Sequence, residues 1–175
     1  MSERPTSVRR SPSGVRPRGP LVLIVEAEDS TRELYAAELA SAGFMVLEAS
    51  DGATGIEKAF QFGPHAVVLD LILPGVDGFK VARRLRGDDR TQDMALIALT
   101  GLASQKFEQL ALAAGCDAFL SKPIMTTELV GELLRQIGQR AKSGSQPDLS
   151  RVARGSQKSC SCQGLCPWKG NFPSA

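Results

Sequence analysis

The sequence lacks the long apolar run that a membrane protein needs. No stretch approaches the ~20 consecutive apolar residues that span a bilayer. The N-terminus, MSERPTSVRRSPSGVRPRGP, is basic but has no apolar segment ahead of a cleavage site, so it is not a secretory signal. Apolar residues make up 42% and charged residues 23% of the 175 residues, as in globular proteins that fold in water. We therefore expect a cytoplasmic protein without membrane contact.

Histidine is also scarce, and the positions of the cysteines argue against a zinc site. The chain has one histidine, His65, and four cysteines. Cys160, Cys162 and Cys166 lie in the segment CSCQGLC, but three thiols without a nearby histidine fall one ligand short of a zinc site. We expect these three to be free, reduced thiols. Cys116 lies in an apolar region and is expected to be a small buried hydrophobic residue.

Acidic and basic residues are unevenly distributed along the chain. Residues 1–20 and 141–175 each hold five basic residues and one acidic residue, so each segment has a net charge of +4. Residues 21–140 hold 11 basic and 17 acidic residues, a net charge of −6. An acidic body does not suit nucleic-acid binding. The terminal segments, rich in polar residues, glycine and proline, predict disordered tails on either side of one domain at 21–140.

The domain alternates between short apolar runs and amphipathic segments. The runs predict strands at 21–25 (LVLIV), 44–49 (FMVLEA), 65–72 (HAVVLDLI), 95–100 (ALIALT) and 116–120 (CDAFL). Helices are predicted at 30–42, from Asp51-Gly52 onward, and at 77–86, 104–114 and 126–137. Five strands, each followed by a helix, predict a doubly wound α/β fold with a parallel sheet covered on both faces.

Apolar spacing also predicts which side of the first three helices faces the sheet. The predicted inward residues are Leu34, Ala37 and Leu39 in the first helix, Ala53, Ile56, Ala59 and Phe60 in the second, and Phe79, Ala82 and Leu85 in the third.

Polar residues collect where the predicted strands end. Residues 26–29 include three acids after the first strand, Asp70 lies at the third, Thr100 ends the fourth and Lys122 follows the fifth. Ligands of such sheets bind beyond the carboxyl ends of the strands. Asp70 lies among apolar residues, where an unpaired carboxylate is costly. It could ligate Mg²⁺, accept a phosphoryl group beside Thr100 and Lys122, or form a purely structural ion pair with Lys122.

These segments together resemble the receiver domain of two-component response regulators. The resemblance covers about 21–138 and rests on VLIVE, VVLDLILPGVDGF (67–79), ALTG (98–101), AGCDAFLSKP (114–123) and their spacing. It implies a flavodoxin-like fold with strand order 2-1-3-4-5. It also implies a stand-alone signalling protein rather than an enzyme, with a sensor histidine kinase or phosphotransfer protein as its phosphoryl donor.

The resemblance assigns a role to each residue of this group. Asp70 corresponds to the phosphoacceptor, Lys122 to the lysine that pairs with the phosphoryl oxygens and Thr100 to the switch hydroxyl. Phe119 corresponds to the switch aromatic, although ordinary strand packing explains it equally well. The magnesium ligands would be Glu26, Asp70 and the backbone carbonyl of Ile72. Pro74 and Gly75 would shape the loop beside the site, and Lys122–Pro123 corresponds to a cis peptide bond.

One position departs from the family pattern. Receivers carry two adjacent acids after the first strand, and alignment on REL (32–34) places Glu26 on the first and Ala27 on the second. Alanine cannot ligate a metal, so we expect weakened Mg²⁺ binding. Glu28 and Asp29 are predicted to start the first helix, where acids interact favourably with backbone N–H groups, rather than to replace the lost ligand. Two interpretations follow: a phosphoaccepting receiver, or a pseudo-receiver that serves only as a protein-interaction module.

The remaining functional classes fit less well. After residue 140 the sequence has too little apolar periodicity for a helix-turn-helix module, so we expect no direct DNA binding and an unidentified downstream protein partner. A flavodoxin-like cofactor site would need a phosphate-cradling loop, whereas VEAEDS is acidic. The resemblance also points to the fourth helix, fifth strand and fifth helix as a homodimer surface.

Overall fold

The computed structural model describes residues 19–101 and 104–142. These residues form β1 (Leu21–Val25), α1 (Asp29–Ser41), β2 (Met45–Ala49), α2 (Gly52–Phe62), β3 (Ala66–Leu69), α3 (Gly78–Arg86), β4 (Ala95–Thr100), α4 (Gln105–Ala113), β5 (Ala118–Ser121) and α5 (Thr126–Lys142). The strands pair in parallel in the order β2-β1-β3-β4-β5. The predicted α/β class and strand order are confirmed.

The sheet has a separate hydrophobic cluster on each face. Every residue of β1, β3 and β4 is buried, because helices cover both sides of a doubly wound sheet. Residues of α2, α3 and α4 pack on one face, and residues of α1 and α5 pack on the other. The register aligns Val25 with Leu69 and Leu69 with Ala98, so these three strands end close together.

The buried face of α1 differs in part from the predicted one. Leu39 is fully buried as expected, but its partner in the core is Tyr35, while Leu34 is 55% exposed and Ala37 is exposed. Residues four apart lie on the same side of a helix, so Tyr35 shares a face with Leu39 and Leu34 points away. The prediction was wrong for Leu34 and Ala37 because it followed apolar character and passed over the single tyrosine.

Helix α2 packs through glycine rather than through large side chains. Its buried residues are Gly52, Gly55 and Ala59, whereas Ala53 is exposed and Ile56 and Phe60 are half-buried. A Cβ atom on Gly55 would lie 2.9 Å from the side chain of Val25, so the helix backbone rests directly on β1. Ala82 and Leu85 of α3 are buried as predicted, and Phe79 is half-buried.

Three element boundaries differ from the prediction by two or more residues. Strand β3 ends at Leu69, because Asp70 begins a turn in which its own carboxylate accepts the N–H of Ile72. Strand β5 starts two residues late, because the N–H of Cys116 still donates to Ala111 of α4. Helix α5 continues to Lys142, five residues beyond the predicted end at 137.

At the amino edge of the sheet, where the strands begin, one aspartate holds the last turns of two helices. The carboxylate of Asp117 accepts hydrogen bonds from Arg86, at the end of α3, from Arg140, near the end of α5, and from the N–H of Leu96. Arg86 also donates to the carbonyl of Gly115 at 2.8 and 2.9 Å. This polar cluster fixes both helix ends against the sheet.

Some predictions concern residues outside the described ranges. The predicted tails are almost entirely in this category, as are Cys160, Cys162 and Cys166. Cys116 is described and is a free, buried cysteine, as expected. Burial raises the pKa of its thiol to about 12. None of the helices in the described part of the chain is long and apolar enough to cross a membrane.

Candidate functional site

Asp70 lies immediately after β3, at the carboxyl edge where the strands end. Its N–H donates to the carbonyl of Val25 at 2.9 Å, which holds its backbone beside the end of β1. Its Oδ1 accepts the N–H of Ile72 at 2.9 Å, and the residue is only 8% exposed. The backbone thus fixes one carboxylate oxygen.

Lys122 brings an ammonium group to the other oxygen of Asp70. Its N–H donates to the carbonyl of Thr100 at 2.9 Å, and the Lys122–Pro123 peptide bond is cis, as the resemblance implied. Its Nζ lies 2.7 Å from Oδ2 of Asp70 and also donates to Oε2 of Glu26. Burial lowers the pKa of Lys122, but the hydrogen bonds to Asp70 and Glu26 outweigh burial and raise it above the usual lysine value. The ammonium is therefore charged at any physiological pH.

Glu26 is the second carboxylate of the site. Its N–H donates to the carbonyl of Ala49 at 3.0 Å, and its Oε1 accepts the N–H of Glu28 at 3.1 Å. Glu26 is 5% exposed, so it is nearly as buried as Asp70. Lys122 is a single positive charge facing two negative charges, which leaves this group of three residues with a net charge of −1.

Glu28 and Asp29 lie at the start of α1, as predicted, but the side chain of Glu28 accepts no backbone N–H of the helix. Glu28 precedes the first helical residue, and its carboxylate accepts the hydroxyls of Ser30 at 3.0 Å and Thr31 at 2.6 Å. These hydroxyls, Thr31 foremost, lower the pKa of Glu28. Asp29 pairs with Arg32 at 2.5 Å. Both acids are thus engaged in local contacts of the helix start.

Arg32 is a residue of the site region that the sequence analysis missed. Its Nη1 donates to the carbonyl of Glu26 at 2.9 Å, and its Nε lies 3.5 Å from the carboxylate of Glu48 on β2. Together with the Asp29 pair, these contacts tie the turn after β1 to α1 and β2. One part of this arrangement, the pair of Asp29 and Arg32, could have been predicted, because side chains three residues apart on a helix can pair.

Tyr35 is a second residue that sequence reasoning missed. Burial raises the pKa of its hydroxyl, and the charges of Lys122, Glu26 and Asp70 also act on it. The hydroxyl of Tyr35, the only tyrosine of the chain, is therefore influenced by the charges at the carboxyl edge. Its apolar neighbours in the sequence gave no indication of this.

Thr100 lies at the same edge at the end of β4, whereas Phe119 lies within β5. Thr100 is the last residue of β4 and is fully buried. Phe119 pairs in register with Ala98, is half-buried and packs against the cluster formed with α2, α3 and α4. Their assignment as switch residues stays a prediction.

The loop from β3 to α3 is a tight turn beside Asp70. Gly75 has φ +76°, a conformation that favours glycine, and the N–H of Val76 donates to the carbonyl of Pro74 at 2.9 Å. A Cβ atom on Gly78 would lie 2.6 Å from the carbonyl oxygen of Asp70, so α3 begins in direct contact with the site backbone.

The site offers a divalent cation only a small number of oxygen ligands. Mg²⁺ prefers oxygen ligands, keeps several waters and is held by one or two carboxylates. The carboxylates of Glu26 and Asp70, which share the ammonium of Lys122, meet this requirement. The backbone carbonyl of Ile72 as a further ligand stays a prediction. Among residues 19–101 and 104–142 no three side chains of the His, Cys, Asp or Glu type form a metal-binding group. Ala27, half-buried, offers no ligand at the missing position.

Comparison with known families identifies the domain. Residues 22–134 match the model of the response regulator receiver domain. The chain belongs to this family. Receiver domains are signalling modules that bind Mg²⁺ at the active site and interact with histidine kinases or phosphotransfer proteins.

Curated relatives extend the family assignment. The chain is 36% identical over 114 residues to the DNA-binding dual master transcriptional regulator RpaA of Synechocystis, with 65% of this chain and 47% of RpaA covered. It is 26% identical over 117 residues to the polar-differentiation response regulator DivK of Brucella anthropi, with 67% of this chain and 95% of DivK covered. This receiver thus spans about half of the length of RpaA and almost all of DivK.

Solved structures agree with the fold. The receiver domain of the sensor histidine kinase PA1611 from Pseudomonas aeruginosa, with a magnesium ion coordinated in its active site cleft, is 32% identical, with a TM-score of 0.65; 69% of this chain and 98% of that chain are covered. A CheY-like receiver domain protein from Methanospirillum hungatei is 23% identical, with a TM-score of 0.68 and coverage of 72% and 99%. The second likeness supports the fold alone.

Proposed function

We propose that this receiver accepts a phosphoryl group on Asp70 from the phosphohistidine of a sensor histidine kinase or phosphotransfer protein. The observation that carries the proposal is the contact of 2.7 Å between the ammonium of Lys122 and Oδ2 of Asp70. Asp70 is a buried carboxylate at the end of β3. Among the described residues, Lys122 carries the only ammonium in direct contact with it. Thr100, at the end of the next strand, supplies the third polar group.

The proposed reaction is a direct transfer between two nucleophiles. A carboxylate oxygen of Asp70 attacks phosphorus, the P–N bond to the donor histidine breaks, and the histidine leaves with the electron pair and takes up a proton. The Ile72 N–H orients the carboxylate of Asp70 through its Oδ1. Lys122 offsets the negative charge of the three phosphoryl oxygens, which is the main task of a protein in phosphoryl transfer.

Glu26, Asp70 and the Ile72 carbonyl would hold the Mg²⁺ of this receiver. When bound, the ion would supply positive charge beside the transferred phosphoryl group. A lost carboxylate at ~4 Å removes several kcal/mol of attraction before desolvation is subtracted, so we expect Ala27 to weaken ion binding by about ten- to a hundredfold. The contacts of Glu28 and Asp29 within α1 support the view that neither acid replaces it.

The second candidate function is a pseudo-receiver, an interaction module without efficient phosphorylation. Ala27 is the observation that favours it. The pairing of Lys122 with Asp70 and Glu26 supports the first function instead, because it places the charge needed by a phosphoryl group where the family places its phosphoacceptor.

Intact-protein mass spectrometry separates the two functions. The full chain is incubated with acetyl phosphate and Mg²⁺, and we expect a mass gain of one phosphoryl group. Asp70→Ala should abolish the gain, whereas Asp93→Ala, which removes an exposed aspartate away from the site, should retain it. A wild-type protein that gains no mass, or an Asp70→Ala variant that still gains it, rejects phosphorylation on Asp70 and favours the pseudo-receiver.

The remaining parts of the proposal concern output. We propose that this receiver acts in the cytoplasm on a still unidentified protein partner, as a signalling module that is not an enzyme and does not bind DNA directly. Leu110 and Leu112 of α4 are 44% and 46% exposed. They support the surface of α4, β5 and α5 as the place where this receiver contacts that partner or a second copy.

A further inference from the structure

Arg32 is a charged residue that lies largely out of solvent beside the turn between β1 and α1. Its side chain is 14% exposed, whereas the side chain of its partner Asp29 is 81% exposed. A guanidinium is costly to bury unless its N–H groups are hydrogen-bonded and its charge is paired. The partners of Arg32 therefore indicate what its burial achieves.

The guanidinium of Arg32 joins three segments of the chain. Nη1 donates to the carbonyl of Glu26 at 2.9 Å, Nη2 pairs with Asp29 at 2.5 Å, and Nε lies 3.5 Å from the carboxylate of Glu48. These partners lie directly after β1, at the start of α1 and on β2. Because a guanidinium presents its donors in a rigid plane, the three contacts together fix the turn at residues 26–29 against both strands.

The shape of this turn sets the direction of the Glu26 carboxylate. The N–H of Glu26 donates to the carbonyl of Ala49 at 3.0 Å, and its carbonyl accepts Arg32. Its Oε1 accepts the N–H of Glu28 at 3.1 Å, within the same turn, and its Oε2 accepts the ammonium of Lys122. A residue that fixes the turn therefore also fixes the carboxylate.

We infer that Arg32 is a positioning residue for Mg²⁺, because it holds the turn in the shape that aims the Glu26 carboxylate at the ion. The inference rests on the proposed function in one respect, namely that Glu26 is a ligand. Ala27 offers no second carboxylate from this turn, so a neighbouring ligand does not compensate when Glu26 loses its orientation. Residues that orient a ligand without touching the metal typically change metal affinity by about ten- to a hundredfold.

The direction of the change distinguishes positioning from simple electrostatics. A positive charge near a cation site repels the ion, and removal of Arg32 also leaves the carboxylates of Asp29 and Glu48 without this partner. On electrostatic grounds alone, Arg32→Met would therefore bind Mg²⁺ more tightly than the wild type. Positioning predicts the opposite.

Titration of the full chain with MgCl₂, followed by amide NMR spectra, measures the affinity and shows whether each variant is folded. We expect Arg32→Met to bind Mg²⁺ about tenfold more weakly than the wild type. Arg83→Met, which removes an exposed arginine in the last turn of α3, should bind as the wild type does. An affinity of Arg32→Met equal to or higher than that of the wild type overturns the inference.

Arg32→Lys separates geometry from charge. The variant keeps a positive charge but replaces the planar group by one ammonium on a flexible stem. It cannot keep the contacts with Glu26, Asp29 and Glu48 together, so we expect it to lose Mg²⁺ affinity as Arg32→Met does. This variant also keeps the inference testable if Arg32→Met does not fold. Wild-type affinity in Arg32→Lys would show that charge rather than geometry matters.

Combination with Glu26→Gln shows whether Arg32 acts through Glu26. If it does, Arg32→Met should lower the Mg²⁺ affinity less in the Glu26→Gln protein than in the wild type. Equal reductions in both proteins contradict the inference. Wild-type affinity in Glu26→Gln alone would instead reject Glu26 as a ligand, so failure of the proposed function is distinguishable. The same comparisons in the Ala27→Asp protein, in which we expect tighter binding, give the direction of each change if the wild-type affinity is too low to measure.

Discussion

Each edge of the sheet pairs carboxylates that are at least partly buried with positive charge, but the ratio of the two charges is opposite at the two edges. At the amino edge one carboxylate, Asp117, is held by two guanidinium groups. At the carboxyl edge two carboxylates, Glu26 and Asp70, share the single ammonium of Lys122. The amino edge has more positive than negative charge within its cluster, and the carboxyl edge has the reverse.

The difference separates a structural site from the proposed phosphorylation site. Every contact of Asp117 described above stabilises the fold, because it ties α3, α5 and β4 to one carboxylate. The carboxyl edge keeps one negative charge uncompensated. That charge costs stability in the free protein and attracts a cation. We expect substitutions at the amino edge to change stability, and substitutions at the carboxyl edge to change chemistry.

The largest expected effect is on stability at the amino edge. Asp117→Ala leaves Arg86 and Arg140 without their carboxylate and the N–H of Leu96 without its acceptor. Because these groups are partly exposed, we expect the free energy of unfolding to fall by about 2–4 kcal/mol. Urea denaturation measures this loss. Asp93→Ala, at an exposed position, serves as the control and should change stability by less than ~0.5 kcal/mol. A small loss for Asp117→Ala would remove the structural side of the comparison.

The next effect is a gain of ion binding at the carboxyl edge. Ala27→Asp restores the missing acid, and we expect Mg²⁺ to bind about ten- to a hundredfold more tightly and acetyl phosphate to label Asp70 faster. Without Mg²⁺ the third carboxylate adds repulsion, so the melting temperature should fall and recover when the ion is added. Thermal unfolding with and without MgCl₂ measures both. Equal affinity in the two proteins would mean that position 27 does not face the ion.

The sequence was sufficient to predict which residues meet at the carboxyl edge. Strand ends are set by apolar runs, and parallel strands bring their ends together, so Glu26, Asp70, Thr100 and Lys122 could be grouped without coordinates. An ion pair of Lys122 with Asp70 was among the predicted alternatives, but the second contact of Lys122, with Glu26, could not be predicted. Both contacts depend on the conformation of the Lys122 side chain, because Lys122 is 52 positions from Asp70 and 96 positions from Glu26 in the sequence.

The amino-edge cluster was missed for a related reason. Asp117 lies within AGCDAFL, where it resembles an ordinary residue before a strand. Its partners Arg86 and Arg140 are 31 and 23 positions away and lie on helices whose charged residues are otherwise typical of solvated faces. Local pattern therefore predicts where an element ends, but it does not predict which distant side chain neutralises a buried charge.

A smaller effect on stability is expected from Glu26→Gln. The substitution leaves Lys122 and Asp70 as a one-to-one pair and removes the excess negative charge. Loss of one charged hydrogen bond and relief of repulsion oppose each other, so we expect stability to change by less than ~1 kcal/mol. Mg²⁺ affinity should fall strongly in the same protein. Urea denaturation and calorimetry on one preparation give both values. A stability loss as large as that of Asp117→Ala would show that the two edges do not differ.

The smallest effect concerns pH and the amino edge. Nδ1 of His65 accepts the N–H of Leu21 at 3.0 Å, which requires the neutral ring, and burial lowers the pKa of His65. A lowered folded-state pKa stabilises the fold above the unfolded value near ~6.5, and this stability is lost as pH falls through the folded pKa. We expect a loss of up to ~1 kcal/mol, about one hydrogen bond. His65→Asn keeps an acceptor that does not titrate, so its unfolding free energy should fall less than that of the wild type as the solution is acidified. Parallel pH profiles for the two proteins would show that the Leu21 contact tolerates a protonated ring.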